Sequence, residues 1–263
     1  MLYNTIFISR KFNFDGMLWM RLTNNTGSPF NAISGYSFDH LFNVAYSSGS
    51  PKLTSAVVER SGGTVTNVKG TGNSILGFSV ANGESCVIRF SWVDGLFVLY
   101  GSDTTNHYRN IVTSAGCKIY GNYDIPTWFM YNLFKDCVNY VQDPNDIFDT
   151  SQLRPNNIGN YVFQRTFSGC TRLTNAVMPD ATNWTPGSIG APFIIDTFTG
   201  SFPSLASTLT LKGVLWVTTV FNTNSMGIDN NRITNIKVDP GLVGLYQASP
   251  NWSNISDSKF ITW

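Results

Sequence analysis

Short runs of alternating apolar and polar residues fill the first 120 positions of the chain. Clusters of Gly, Asn, Asp and Ser separate these runs at intervals of roughly 8 to 12 residues. This spacing is typical of antiparallel sandwiches and barrels. Residues 1–120 are therefore predicted to form an antiparallel β-sandwich or barrel, with strands at residues 2–14, 17–22, 41–46, 53–59, 64–69, 75–80, 86–92 and 96–100.

The dipeptide Asp94-Gly95 separates two of these runs, residues 87–92 and 96–100. Asp and Gly both tolerate the positive φ angles of a type I′ turn, which is the usual turn of a two-residue hairpin. The two runs are therefore predicted to pair with each other.

A different pattern begins near residue 128 and recurs along the chain. Its clearest copy places Phe167, Cys170 and Leu173 at three-residue steps between small polar residues. The leading phenylalanines of four copies, Phe134, Phe167, Phe198 and Phe221, lie 33, 31 and 23 residues apart. Periods of this length are typical of solenoid proteins. A strand-like run follows three of the copies, at residues 176–178, 209–211 and 233–238.

A single repeat cannot bury its own apolar face, so stacked repeats are expected to share one continuous core. The strand-like runs should then align as a small parallel sheet whose outward residues form the natural contact surface. The third copy has Ser201 where a cysteine would stand, which we interpret as the point where the array becomes irregular. The predicted core consists of Phe134, Cys137, Phe167, Cys170, Leu173 and Phe198.

This unit resembles the BspA-like leucine-rich repeat of bacterial surface proteins, in which a Phe, Cys and Leu unit precedes a short strand. Residues 236–252 resemble the closing repeat of that family, a strand followed by a short helix and a Trp. Asp239 suits the N-cap and Pro240 the first position of that helix. The resemblance covers about residues 128–263 and does not extend to the N-terminal half. It implies a short leucine-rich-repeat-like solenoid with a C-terminal capping helix.

We place a domain boundary near Gly121. Residues 1–120 would then attach or assemble, and residues 121–263 would bind. The composition agrees with a mainly β protein, since 14% of the 263 residues are aromatic and only 13% are charged.

The charge pattern speaks against nucleic-acid binding, because the net charge is +1 and no run of Lys or Arg exists. No window approaches 18 consecutive apolar residues, so membrane insertion is not expected. The first 11 residues lack the basic start and apolar core of a secretory signal.

No catalytic, cofactor or metal signature emerges from the residues. The only histidines are His40 and His107, and no nucleophile motif accompanies them. The acidic residues Asp143, Asp146 and Asp149 lack the spacing and glycine of a calcium loop. The four cysteines form no CxxC pair and are expected to be buried as free thiols. We therefore expect a protein that is not an enzyme and has no cofactor.

Three residues are candidates for contact with a partner. In the alternating run 211–220, Trp216 falls on the same face as Lys212, opposite Leu215 and Val217. Trp184 lies in a polar loop. Exposed aromatic rings stack on sugars and on other proteins, so Trp184, Trp216 and Lys212 would contact a glycan or a protein.

Three functions remain open at this point. The first is a bacteriophage virion component, such as a capsid-decoration, tail or fibre protein, which would self-assemble or bind other proteins. The second is a bacterial cell-surface adhesin of the BspA-like kind. The third is a carbohydrate-binding module or a glycoside hydrolase, since paired carboxylates cannot be recognised from sequence spacing. The expected location is the virion, with the bacterial cell surface as the alternative.

Overall fold

A computed structural model describes ten segments of the chain, and these segments are mainly β with few helices. The predicted strand at residues 2–14, both histidines and the fourth repeat copy at Phe221 lie outside the described segments. Among the described residues, no helix has the length and hydropathy needed to cross a bilayer. The segments are residues 16–31, 42–45, 53–67, 79–92, 98–101, 111–143, 145–190, 194–203, 207–218 and 226–263.

Six strands form the largest sheet, in the order β10-β9-β1-β7-β4-β5. The pairs are antiparallel except for β9 with β10, which is parallel. The inward side chains of the central strand β1 are fully buried, and the residues between them face outward. The six are β1 (Gly16–Asn24), β4 (Leu53–Arg60), β5 (Val65–Asn67), β7 (Ser85–Trp92), β9 (Ile111–Gly121) and β10 (Phe148–Leu153).

Two further antiparallel pairs lie outside this sheet. Strand β2 (Phe30–Asn31) pairs with β6 (Ser79–Val80), and β3 (Phe42–Ala45) pairs with β8 (Val98–Gly101). The predicted hairpin around Asp94-Gly95 is therefore wrong, because β8 pairs with β3 while β7 lies between β1 and β4. A turn signal is local, whereas pairing depends on which strands can bury their apolar faces together. The dipeptide itself lies outside the described residues.

The C-terminal half is a solenoid-like stack of coils. One side of the stack is a parallel sheet in the order β12-β14-β15-β16, in agreement with the parallel alignment expected from the repeats. Its strands are β12 (Asn175–Val177), β14 (Ser207–Leu211), β15 (Ile233–Val238) and β16 (Phe260–Thr262).

A second side of the stack is a shorter parallel ladder. Strand β11 (Asn157–Ile158) pairs with β13 (Ser188–Ile189), and a bridge joins Ile125 to Ile158. Ile125, Ile158 and Ile189 are spaced by the same 33 and 31 residues as the repeat phenylalanines. This ladder therefore recurs with the same period as the repeat phenylalanines.

The third side consists of consecutive turns with an alternating hydrogen-bond pattern. Between residues 128 and 137, one backbone N–H bonds three residues back and the next bonds a carbonyl of the following coil. Every fourth residue has a positive φ: Trp128, Asn132 and Asp136 in the first coil, then Tyr161, Arg165 and Gly169 in the second. Backbone N–H groups donate to the following coil at Trp128, Asn132, Asp136, Arg165 and Gly169, for example from Asp136 to the Ser168 carbonyl at 2.7 Å.

Two short helices replace the ladder in the later coils, α1 (Leu215–Thr218) and α2 (Val243–Ala248). Short 3-10 helices follow at Pro250–Trp252 and Asp257–Lys259. The predicted N-cap at Asp239 is wrong, because a turn precedes α2 and its N-cap residue is Leu242. The Asp239 carboxylate instead accepts the backbone N–H of Gly213, at 2.6 Å, and so ties two coils together.

The sheet continues across the boundary predicted near Gly121. Strand β9 pairs with β1 on one side and with β10 of the repeat half on the other. The hydroxyl of Thr150 in β10 then donates to the Asp180 carbonyl, at 2.9 Å, just after β12. One cluster of buried side chains extends from Leu18 to Phe260. The N-terminal sheet and the solenoid therefore share a core.

Candidate functional site

The phenylalanines of the repeat form a continuous stack inside the coils. The Phe134 and Phe167 rings are 5.7 Å apart at 18°, and the Phe167 and Phe198 rings are 5.6 Å apart at 8°. All six predicted core residues are buried, with at most 4% of each exposed. This stack gives the solenoid a rigid interior, on which the surface strands rest.

Buried side chains also join each coil to the preceding one through hydrogen bonds. Thr166 donates to the Met130 carbonyl at 2.8 Å, and Thr197 donates to the Phe163 carbonyl at 2.9 Å. These two threonines each precede a stacked phenylalanine, so the feature repeats with the coil. A threonine directly before the core phenylalanine is visible in the repeat sequence. The sequence alone does not show that its hydroxyl bonds the preceding coil.

Two of the three predicted contact residues are not on the surface. Trp216 is fully buried and Trp184 is 3% exposed, so the expectation that both indoles face outward is wrong. Residues 215–218 form α1 and not a strand, which replaces the two-residue period of the prediction with a helical one. Trp216 packs against Trp184, and its indole N–H donates to the Lys212 carbonyl at 2.9 Å.

Lys212 does lie on the surface, with 42% of its side chain exposed. Its ammonium is 3.8 Å from the Asp180 carboxylate and 5.5 Å from the centre of the Trp263 ring. Trp263 is half exposed. The exposed aromatic neighbour of Lys212 is therefore Trp263. Trp263 follows β16 and lies two residues after the partly exposed Ile261, so a two-residue period places both side chains on the same side of the sheet.

Lys212 and Trp263 stand at one end of the outward face of the parallel sheet, which we call the outer face. Its first row is Asn175, Thr208 and Asn235, and its second row is Val177, Thr210, Lys237 and Ile261. Lys212 lies two residues after Thr210, and Trp263 lies two residues after Ile261. Asp239, two residues after Lys237, lies between them. All these residues are exposed or partly exposed.

The outer face combines several chemical groups on a rigid support. Neighbouring strands lie about 4.8 Å apart, so the hydroxyl and amide side chains of the face stand in rows across the sheet. The Lys212 ammonium has a carboxylate partner in Asp180. For Lys237, the described residues provide no carboxylate within ion-pair distance. The face can therefore offer hydrogen bonds, one aromatic ring and one ammonium group to a ligand.

Of the three acidic residues Asp143, Asp146 and Asp149, Asp146 has a structural role. Asp146 is fully buried, and its carboxylate accepts the Trp19 indole N–H at 2.7 Å and the Arg21 guanidinium at 2.8 Å. Gly116 allows this arrangement, because a Cβ there would lie 2.6 Å from the Trp19 ring. Within the described segments, no group of three or more His, Cys, Asp or Glu could hold a metal ion.

Comparisons with known proteins add no relatives: no protein-family model, curated protein or solved structure matches this chain. The resemblance to BspA-like repeats thus stays a prediction.

Proposed function

We propose that the chain is a non-enzymatic structural and adhesion protein that forms part of a bacteriophage virion, as a capsid-decoration, tail or fibre component. In this proposal the N-terminal strands belong to an antiparallel sandwich or barrel that attaches the chain to the particle. The coils are BspA-like repeats that present the outer face to a partner, and α2 caps their end.

The outer face is the observation that supports this proposal most. It is a polar, partly exposed surface on a support whose interior is a stack of buried rings. A surface of this kind needs little ordering on binding, so less of the interaction energy is lost. The low proportion of charged residues, 13%, suits a chain that buries much of its surface in an assembly.

Size-exclusion chromatography with light scattering on the full chain tests the assembly part. We expect a defined oligomer whose mass is a multiple of 29.1 kDa and whose population rises with concentration. Attachment of the labelled chain to bacterial cells tests the adhesion part, with heat-denatured chain as the control.

The alternatives give different results in the same measurements. A chain that stays monomeric at all concentrations but attaches to cells favours the BspA-like surface adhesin, which shares the outer face but needs no assembly. A chain that releases reducing sugars from polysaccharides contradicts the non-enzymatic proposal and favours a glycoside hydrolase. A chain that neither assembles nor attaches contradicts both adhesion hypotheses.

A further inference from the structure

We propose that the outer face binds an acidic sugar, a hexuronate within a polysaccharide, between the Trp263 ring and the Lys237 ammonium. This inference rests on the proposed adhesive function and names the ligand class of the same surface. The Trp263 ring would lie against the apolar face of the pyranose, and Lys237 would pair with its carboxylate.

The position of Trp263 supports the stacking part of the site. Half of this side chain is exposed, and the Lys212 ammonium lies 5.5 Å from its ring centre. Lys212 is itself held near Asp180. The contact limits the freedom of the indole before a ligand arrives, so less conformational entropy is lost on binding.

The outer face carries two ammonium groups, those of Lys212 and Lys237, and Lys212 is the one with a carboxylate partner among the described residues. The Asp180 carboxylate lies at Lys212, and the Asp239 carboxylate accepts the Gly213 N–H. The Lys259 ammonium donates to backbone carbonyls, including that of Ile233 at 2.7 Å. Lys237 is then the ammonium of this face that has no carboxylate within ion-pair distance among the described residues. A ligand carboxylate would complement it.

The spacing of the two groups fits one sugar ring. Lys237 is directly opposite Ile261 in the register of β15 and β16, and Trp263 lies two residues further along. Strand spacing and residue rise place the Lys237 and Trp263 Cα atoms about 8 Å apart. Two side chains at this separation can contact the face and the exocyclic carboxylate of a single pyranose. Thr210, beside Lys237 in the register, supplies a hydroxyl for the sugar hydroxyl groups.

Titration of the full chain with defined oligosaccharides tests this site. The probes are tetrasaccharides of galacturonate and of glucuronate, each compared with its methyl ester, which keeps the ring but removes the charge. For a site of few contacts we expect a dissociation constant on the order of 1 mM for the acids. The esters should bind about two- to fivefold more weakly, the range expected for one exposed ion pair.

Two variants and two matched controls assign the contacts. Lys237→Gln should lower affinity for the acids to that for the esters and leave the esters unchanged. Trp263→Ala should weaken both kinds of probe by roughly three- to tenfold. The controls are Lys118→Gln, an exposed lysine of β9, and Trp128→Ala, a half-exposed tryptophan on the turn side of the coils; both should leave binding unchanged. Circular dichroism of all four variants checks that each is folded.

Several results would overturn the inference. They are equal affinity for acids and esters, loss of binding in the control variants, or no binding of either acid at about 10 mM, tenfold above the expected constant. If neutral oligosaccharides bind with the same dependence on Trp263, the acidic-sugar inference fails while the adhesive function stands. If the acids bind as expected but the chain never assembles, the inference stands and the virion assignment fails.

Discussion

Ser201 occupies the same structural position as Cys170, one coil later. The Cys170 thiol donates to the Phe134 carbonyl at 3.2 Å, and the Ser201 hydroxyl donates to the Phe167 carbonyl. Burial raises the pKa of the Cys170 thiol well above its usual range, so the thiol stays protonated and remains a donor. Serine therefore supplies the same donor to the same kind of acceptor, and the array changes only later in this coil, where α1 replaces the ladder.

Substitutions at Ser201 test this equivalence. Ser201→Ala should lower the free energy of unfolding by about 1 kcal/mol, because a buried hydrogen bond is lost. Ser201→Cys should cost less than Ser201→Ala, because a thiol already fills this role at Cys170. Urea denaturation followed by tryptophan fluorescence measures both values. A Ser201→Cys protein less stable than Ser201→Ala would show that the two positions are not equivalent.

At the scale of elements, the turn side of the coils depends on positive φ angles at every fourth residue. Gly169 (φ 77°) and Gly200 (φ 70°) occupy equivalent positions in successive coils. A Cβ at Gly169 would lie 2.6 Å from the Asp136 Oδ1 atom and 3.1 Å from the Asp136 Cα atom, whereas a Cβ at Gly200 would meet nothing within 4 Å. The two glycines therefore share one backbone requirement but differ in how closely the preceding coil approaches.

Alanine at each glycine separates these two effects. Gly200→Ala should destabilise the protein by about 1 kcal/mol, the cost of a left-handed conformation for an L-residue. Gly169→Ala should cost roughly 1 kcal/mol more, because the Asp136 backbone must also move. Thermal and urea unfolding of the two variants give the comparison. Equal losses of stability in the two variants would mean that the Asp136 backbone moves aside without a measurable energetic cost.

The turn side of the coils also shows which features the sequence patterns do not predict. Alternation found β1, β4 and β7, and the repeat period found β12, β14 and β15, because burial of one face produces both patterns. The left-handed turns carry bulky residues such as Trp128, whose backbone N–H is hydrogen-bonded to the next coil. No local rule predicts a conformation that depends on a neighbour 32 residues away.

The sequence contains a local reason why Trp216 does not lie on the strand face predicted for it. Gly213 interrupts the alternating run, with φ at 97°, and ends the extended backbone after Leu211. A side chain at Gly213 would collide with the Ala181 backbone of the preceding coil. A glycine inside an alternating run is a signal for a bend. A bend at Gly213 separates Trp216 from the strand and from the face of Lys212.

At the scale of the whole molecule, the buried Asp146 joins the N-terminal sheet to the repeat half. Its carboxylate accepts hydrogen bonds from Trp19 and Arg21 of β1, and its own loop connects the first coil to β10. Asp146→Asn keeps the shape but leaves the Arg21 charge without its partner. Because half of Arg21 is exposed and can be solvated, we expect a loss of about 2 kcal/mol, below the usual cost of breaking a fully buried pair. Asp143→Asn, in the same loop, is the matched control and should change stability by less than about 0.5 kcal/mol.

Calorimetry of these variants shows whether the two halves unfold together. The shared sheet and core predict one transition, which Asp146→Asn should move as a whole to lower temperature, by about 4 to 8 °C for a loss of about 2 kcal/mol. Independent halves, as the boundary near Gly121 implies, would instead give two transitions, of which the variant shifts only one or separates the two further. Ser201 lies in a later coil than Asp146, so Ser201→Ala provides a second probe of the same question. If the two variants lower the temperature of a common transition, the N-terminal sheet and the solenoid form one cooperative unit. If each variant moves a different transition, the continuity of the sheet at β9 and β10 does not couple the halves energetically.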